Sequence, residues 1–268
     1  MADFIPSVTL TEQTNLETSR KLLKDTILLV SDFDGLYESL LRGLSGDRAG
    51  DDAYRAFLTI LQLHSVCRRQ LTMAALTLFR GQQADSTLHV RIAIDSVASV
   101  WRIANNHLLA LDWLDAANDT ASYKKYQTLF HPRKLFPPAG SEHHHPDLAA
   151  LYPTYDMLSK MIHVSIYGAA GRASLTDEND VLGVSLHFCD LPSHASAVTG
   201  LYLILDTHRR ILKILADAFN NCASKVDPEW RQMLQTVEER QERHRQRLMP
   251  IVAQRMRNLE TEAKKASE

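Results

Sequence analysis

The sequence predicts an all-α protein, an antiparallel bundle of about seven to nine helices. Three observations predict it. Glycine and proline are scarce, 10 and 9 in 268 residues, and many of them gather in a few short segments. Apolar residues recur at three- and four-residue intervals over long stretches. Alternating runs that read as strands are few, with a short β-hairpin or an ordered loop expected near residues 172–187. No internal repeat divides the chain, so residues 1–268 read as a single helical domain.

Residues 1–10 read as a loose arm. Thr11 or Thr14 can cap a first helix that runs to about Gly43, and Thr14 with Glu17 forms a capping box. Leu22, Leu23, Ile27, Leu29, Val30, Leu36 and Leu40 give that helix a wide apolar face. After the polar loop Ser45–Gly50, a second helix starts at Asp51 or Asp52 and continues through Arg80, with Phe57, Ile60, Leu71, Ala75 and Leu78 inward. Gly81–Ser86 reads as a break. A third helix reaches about Asn105, and shorter ones follow near His107–Ala117 and Thr120–Phe130.

Residues 131–146 hold four prolines and a glycine, a density that predicts irregular backbone. A further helix carries Tyr155. Ser193 is the expected cap of a helix through about Asn221. Asp227-Pro228-Glu229 is a helix start, and the last helix, 228–263, is expected to break or kink at Pro250.

Composition bounds the function. The formal net charge is −2, which argues against attraction of the whole surface to nucleic acid or anionic membrane. Cys67, Cys189 and Cys222 are odd in number and widely spaced, as expected of a reducing compartment. The first residues lack the basic and apolar regions of a secretory signal, and no apolar run is long enough to span a bilayer. A cytoplasmic location with no membrane partner is the expectation.

Two helices carry polar residues inside apolar patterns. In the third helix Val90, Ile94, Val97 and Trp101 form one stripe, and Ile92 and Val100 lie off it, so the helix is apolar on more than one side and expected to be buried. Arg91 and Asp95 sit within it, four apart. Two charges there need pairing and hydrogen bonds, so Arg91 is expected to bond Asp95 and also to reach a second helix. Tyr155, Ser159 and His163 recur every four residues and share one helical face, which supplies that partner. The plain alternative is an intrahelical ion pair beside a serine bonded back to its own helix.

Arg-x3-acidic followed by Tyr-x3-Ser-x3-His resembles an uncharacterised family of bacterial all-helical proteins. The resemblance covers roughly Leu71–Tyr167. That family carries Arg-x3-Glu where this chain has Arg91 and Asp95, so the carboxylate here stands on a shorter arm. The family is distantly similar to HEPN domains, helical bundles that are often RNases in toxin and antiphage systems. The resemblance implies RNA as a partner and a role in bacterial conflict or defence. HEPN nucleases carry Arg-x4–6-His, and Arg102 with His107 is the pair of this chain that fits the spacing, in a pattern short enough to arise by chance. The candidate catalytic residues are therefore Arg91, Asp95, Tyr155, Ser159, His163, Arg102 and His107. In such an enzyme a histidine moves a proton at the 2′-hydroxyl while an arginine holds phosphate charge.

Other chemistry is less well supplied. His143-His144-His145 and His187-x-x-Asp190-x3-His194 lack the spacing of known zinc sites, and neither a cofactor nor a metal is expected. Ser159, His163 and Asp95 offer the residue types of a nucleophilic triad, but no Gly-x-Ser-x-Gly elbow is present. The last helix carries Arg240, Arg243, Arg245, Arg247, Arg255 and Arg257. Acidic neighbours flank that strip, and no aromatic residues alternate with it to stack bases. The competing expectation is a non-enzymatic assembly module. In it the polar cluster fixes helix register, and Leu234, Val237, Leu248, Ile251, Val252 and Leu259 of the last helix lie against a second subunit, giving a homo-oligomer, most simply a dimer.

Overall fold

The structure is a computed structural model that describes residues 4–45, 50–162, 173–178, 181–186, 194–222 and 224–267. It is an all-α bundle with small antiparallel ladders. The helices are α1 (Phe4–Leu22), α2 (Lys24–Arg42), α3 (Asp51–Phe79), α4 (Gln83–Asn105), α5 (Leu109–Leu114), α6 (Thr120–Leu129), α7 (Pro132–Leu135), α8 (Pro146–Ile162), α9 (His194–Asn221) and α10 (Pro228–Ser267). A 3₁₀ turn, Asp115–Ala117, follows α5. The strands are β1 (Leu44–Ser45), β2 (Ala173–Glu178), β3 (Val181–Leu186) and β4 (Lys225–Val226). The hairpin is present as β2–β3, with Ala173 opposite Leu186 and Glu178 opposite Val181.

Helices α3 and α4 form the most extensive pairing, and α9 packs against α2, α3, α4, α8 and α10. The turn between α3 and α4 explains their antiparallel course. Gly81 adopts φ 85°, a conformation other residues rarely tolerate. Its N–H reaches the Leu78 carbonyl while the Gln82 N–H reaches that of Thr77, a Schellman closure of α3. The next helix begins at once, so the expected Gly81–Ser86 break shrinks to Gly81 and Gln82. The Ser86 hydroxyl then donates to the Ala74 carbonyl at 2.8 Å and fastens the two helices.

Other boundaries also differ from expectation. Residues 4–10 belong to α1 and are not an arm, and Thr14 lies inside that helix, its hydroxyl turned back to the Leu10 carbonyl. The expected single helix to Gly43 is two, interrupted at Leu23, where φ is −116° and ψ 21°. No glycine or proline marks that interruption. The proline-rich segment contains α7, because Pro132 takes the first helical position, where its missing N–H costs nothing. Helix α10 continues unbroken through Pro250 to Ser267. Its start is as expected, with Asp227 Oδ1 accepting from the Glu229 N–H at 2.9 Å. Ser193 lies outside the described residues. No described helix is long and apolar enough to cross a membrane.

The core holds a polar knot. His208 of α9 is fully buried, stacked on Phe33 and edge-on to Tyr37. His64 of α3 is also buried and edge-on to Tyr37, and its Nε2–H donates to the Tyr37 carbonyl at 3.1 Å. The other nitrogen of His64, both nitrogens of His208 and the Tyr37 hydroxyl have no hydrogen-bond partner. Burial pushes the His64 pKa down to about 4 and that of His208 to about 3.

Helix α10 docks by Trp230, Leu234, Val237 and Gln241, a one-sided stripe at helical spacing. Trp230 Nε1 donates to the Leu36 carbonyl, 194 residues away, at 2.9 Å. Beside it β1 pairs with β4, Leu44 opposite Val226, and the Asp227 N–H donates to the Gly43 carbonyl.

Candidate functional site

Helices α4 and α8 pack together and meet through Arg91. Its Nη1 contacts Asp95 Oδ2 at 2.6 Å. Its Nε donates to Ser159 Oγ and its Nη2 to the Tyr155 hydroxyl, each at 3.2 Å. The guanidinium carbon lies 5.1 Å from the centre of the Tyr155 ring, within cation–π range. The local pair and the link to a second helix are thus both present. One expectation needs correction. The ion pair is not fully buried, since the Arg91 and Asp95 side chains retain 26% and 29% of their exposure. The backbone of α4 is interior, but these two long arms reach its open flank.

The donors can be counted. A guanidinium has five N–H groups, and three of those on Arg91 are taken by Asp95, Ser159 and Tyr155. Among the described residues the other two meet no acceptor, and the part-exposed guanidinium can be reached by an oxyanion from outside. The Ser159 hydroxyl spends its own proton on the Tyr155 carbonyl at 2.8 Å, the back-bond open to any helical serine. That commitment weakens the nucleophilic-triad reading.

Burial raises the Asp95 pKa above the usual carboxylate range, against the pull of Arg91 and of a hydrogen bond from Tyr155. Burial also raises Tyr155 and Tyr126, each with a second contribution from the Asp95 charge. The Asp95 charge is thus felt by two groups of aromatic rings. In one, Tyr126 stacks on both Tyr123 and Phe130. In the other, Phe136 and Tyr152 pack on Tyr155. Tyr123 and Tyr152 are 50% and 46% exposed, so each set ends in an open ring.

Comparison with protein-family models, curated proteins and solved structures finds no match to this chain. The site therefore has to be read from its own residues.

His163 lies outside the described residues. Arg102 and His107 are not joined by any contact. Arg102 Nη1 donates to the Lys134 carbonyl at 3.2 Å, whereas His107 Nε2 faces the Cys222 sulfur at 3.7 Å. In the histidine run, His143 and His145 have partners within the fold. The His143 carbonyl accepts from Trp101 Nε1 at 2.8 Å. His145 caps α8 through Nδ1, which accepts from the Asp147 N–H at 3.2 Å. That leaves its proton on Nε2, facing Asp217 at 3.3 Å. Burial and cap together tie the start of α8 to α9. His187 and Asp190 are outside the described residues. Among the described residues no three His, Cys, Asp or Glu side chains are grouped to hold a metal ion.

Three of the six arginines in the α10 strip are paired with carboxylates. Arg240 pairs with Asp32 and Arg247 with Asp25, both at 2.7 Å, and Arg245 pairs with Glu242 at 2.8 Å. Sequence reasoning missed the aromatic groups of Tyr126 and Tyr155, both of which feel the Asp95 charge. One signal was available: Tyr123 and Tyr126 of α6 and Phe130 just after it recur at helical spacing, on a helix with no buried residue of its own.

Proposed function

We propose that the protein binds single-stranded RNA at the Arg91 cluster and cleaves it in the manner of a HEPN-like RNase of bacterial conflict. The observation that supports this reading is the half-open Arg91–Asp95 pair beside the stacked Tyr155 and Tyr152. Aromatic faces hold bases without regard to sequence, and a guanidinium with spare N–H groups suits a phosphate. Asp95, with its raised pKa, would orient a histidine or hold a proton. His163, four residues after Ser159 in the sequence, would move the proton at the 2′-hydroxyl.

The test uses purified full-length protein and a fluorescent RNA oligonucleotide. Binding should weaken about tenfold or more in Tyr123→Ala and in Tyr152→Ala, since stacking on one base contributes about 1–3 kcal/mol. Both rings are exposed, so the fold should survive. His163→Ala should retain binding and lose cleavage. RNA left intact by the parent protein removes the enzymatic reading, and unchanged binding in both tyrosine variants removes the site.

The assembly reading keeps one observation of its own. Helix α10 has 40 residues, about 60 Å of helix, and Met249 is exposed beyond the stripe that docks it.

A further inference from the structure

A second recess lies between the C-terminal half of α4 and residues 133–143, with a volume of about 440 Å³. That is the size of small-molecule pockets generally. Its floor is apolar: Trp101, Leu109 and Leu135 are buried side chains that line it. Its charged lining is one-sided, with Arg102, Arg133 and Lys134 against a single acid, Glu142.

These cations differ from most other arginines of the bundle. Arg68, Arg91, Arg209, Arg210, Arg231 and Arg240 each contact a carboxylate. No described carboxylate pairs with Arg102, Arg133 or Lys134. The one hydrogen bond of Arg102 goes to a backbone carbonyl, and its Nε is buried with no partner. Desolvation lowers the Arg102 pKa with no acid to offset it. A buried cationic N–H without an acceptor is costly, and a negative charge seated in the recess beside the guanidinium would offset the desolvation of its charge. Asn105 and Asn106 line the same wall and add amide groups.

We propose that this recess binds a small molecule with a doubly charged oxyanion head, a phosphate monoester or a pair of carboxylates, on a compact apolar body. Three cations against one acid leave room for two negative charges, and arginine forks match phosphate and carboxylate geometry. The apolar floor accounts for the body. The site shares no residue with the Arg91 cluster and stands or falls separately from it.

The experiment is titration calorimetry on the full chain with four probes: phenyl phosphate, phthalate, inorganic phosphate and benzyl alcohol. Phenyl phosphate or phthalate should bind at least about tenfold more tightly than either of the other two, and the better of the pair identifies the head group. Arg133→Gln/Lys134→Gln alters only exposed side chains. It should keep the melting temperature of the parent and lose at least about tenfold in affinity. Arg102→Met, which retains the apolar stem, should abolish binding. If Arg102→Met does not fold, the double variant decides alone. The proposal is overturned if neither charged aromatic probe binds, if benzyl alcohol or inorganic phosphate binds as well as they do, or if the double variant binds like the parent.

Discussion

Acid should destabilise this protein through two buried histidines. His64 and His208 have pKa values pushed down by burial to about 4 and about 3. In an unfolded chain both return to about 6.5. The folded state therefore binds fewer protons than the unfolded state below that value. Stability is fully present above about pH 6.5 and falls as the pH drops toward the folded pKa values. Each group contributes about 1.4 kcal/mol per pH unit. Between pH 6.5 and 4.5 the two together should remove about 5 kcal/mol, against a total of about 5–15 kcal/mol for a typical domain. Asp34, held down chiefly by its bond to Arg68, loses its contribution in the same direction at still lower pH. The assay is urea unfolding at several pH values for the parent and His208→Phe. Both nitrogens of His208 lack partners, so the phenyl ring removes the proton site without stranding a neighbour. The variant should gain on the parent by about 1.4 kcal/mol for each pH unit below 6. A difference between them that does not change with pH would refute the reasoning.

Three further outcomes are expected. Arg91→Ala should lower stability by about 1–3 kcal/mol, less than for a fully buried pair because both side chains stay part-exposed; it should also raise the Asp95 pKa further, readable by carboxyl NMR, and a downward shift would contradict the geometry. His145→Ala removes the cap of α8 and the link to Asp217 and should cost about 1–2 kcal/mol in thermal or urea melts, whereas an unchanged melt would show that solvent satisfies the helix end equally well. Ending the chain after Val226 should unfold it by taking Trp230, Leu234 and Val237 from the core, but ending it after Leu248 should leave the melting temperature within a few degrees of the parent; light scattering on the latter then reads whether the rest of α10 holds copies together.

Legibility in the sequence followed a physical rule. The interior position of α4 could be read because burial on several sides demands apolar residues on several sides, and Val90, Ile94, Val97 and Val100 are all buried. The meeting of Arg91 with Tyr155 and Ser159 could be read because a charge in such a helix needs partners, and i, i+4 spacing announces a face. The aromatic groups could not. Tyr126 and Phe136 come from α6 and the segment after α7, and no periodicity says which way a short helix folds back. The interruption at Leu23 has no breaker residue, so tertiary packing decides it. His64 and His208 fell out of sight for another reason: a histidine at a core position of a helix has the same sequence pattern as a ligand or a surface residue. The Arg91 pair lies shallower than expected because burial of a helix backbone does not extend to the tips of its long side chains.

The joint between β1 and β4 bears on how the chain reaches this state. Leu44 faces Val226, and Trp230 grips the Leu36 carbonyl across 194 residues of sequence. Closing so long a loop is worthwhile only once α3, α4 and α9 have brought its ends near each other. The ladder is only two residues wide on each side, too small to hold its partners before the helices do. Folding should therefore begin in the α3–α4 pair, whose contacts are local, and end at this joint. The seam that α10 closes is a late event in assembly, and mutations there should speed unfolding while leaving the folding rate nearly unchanged.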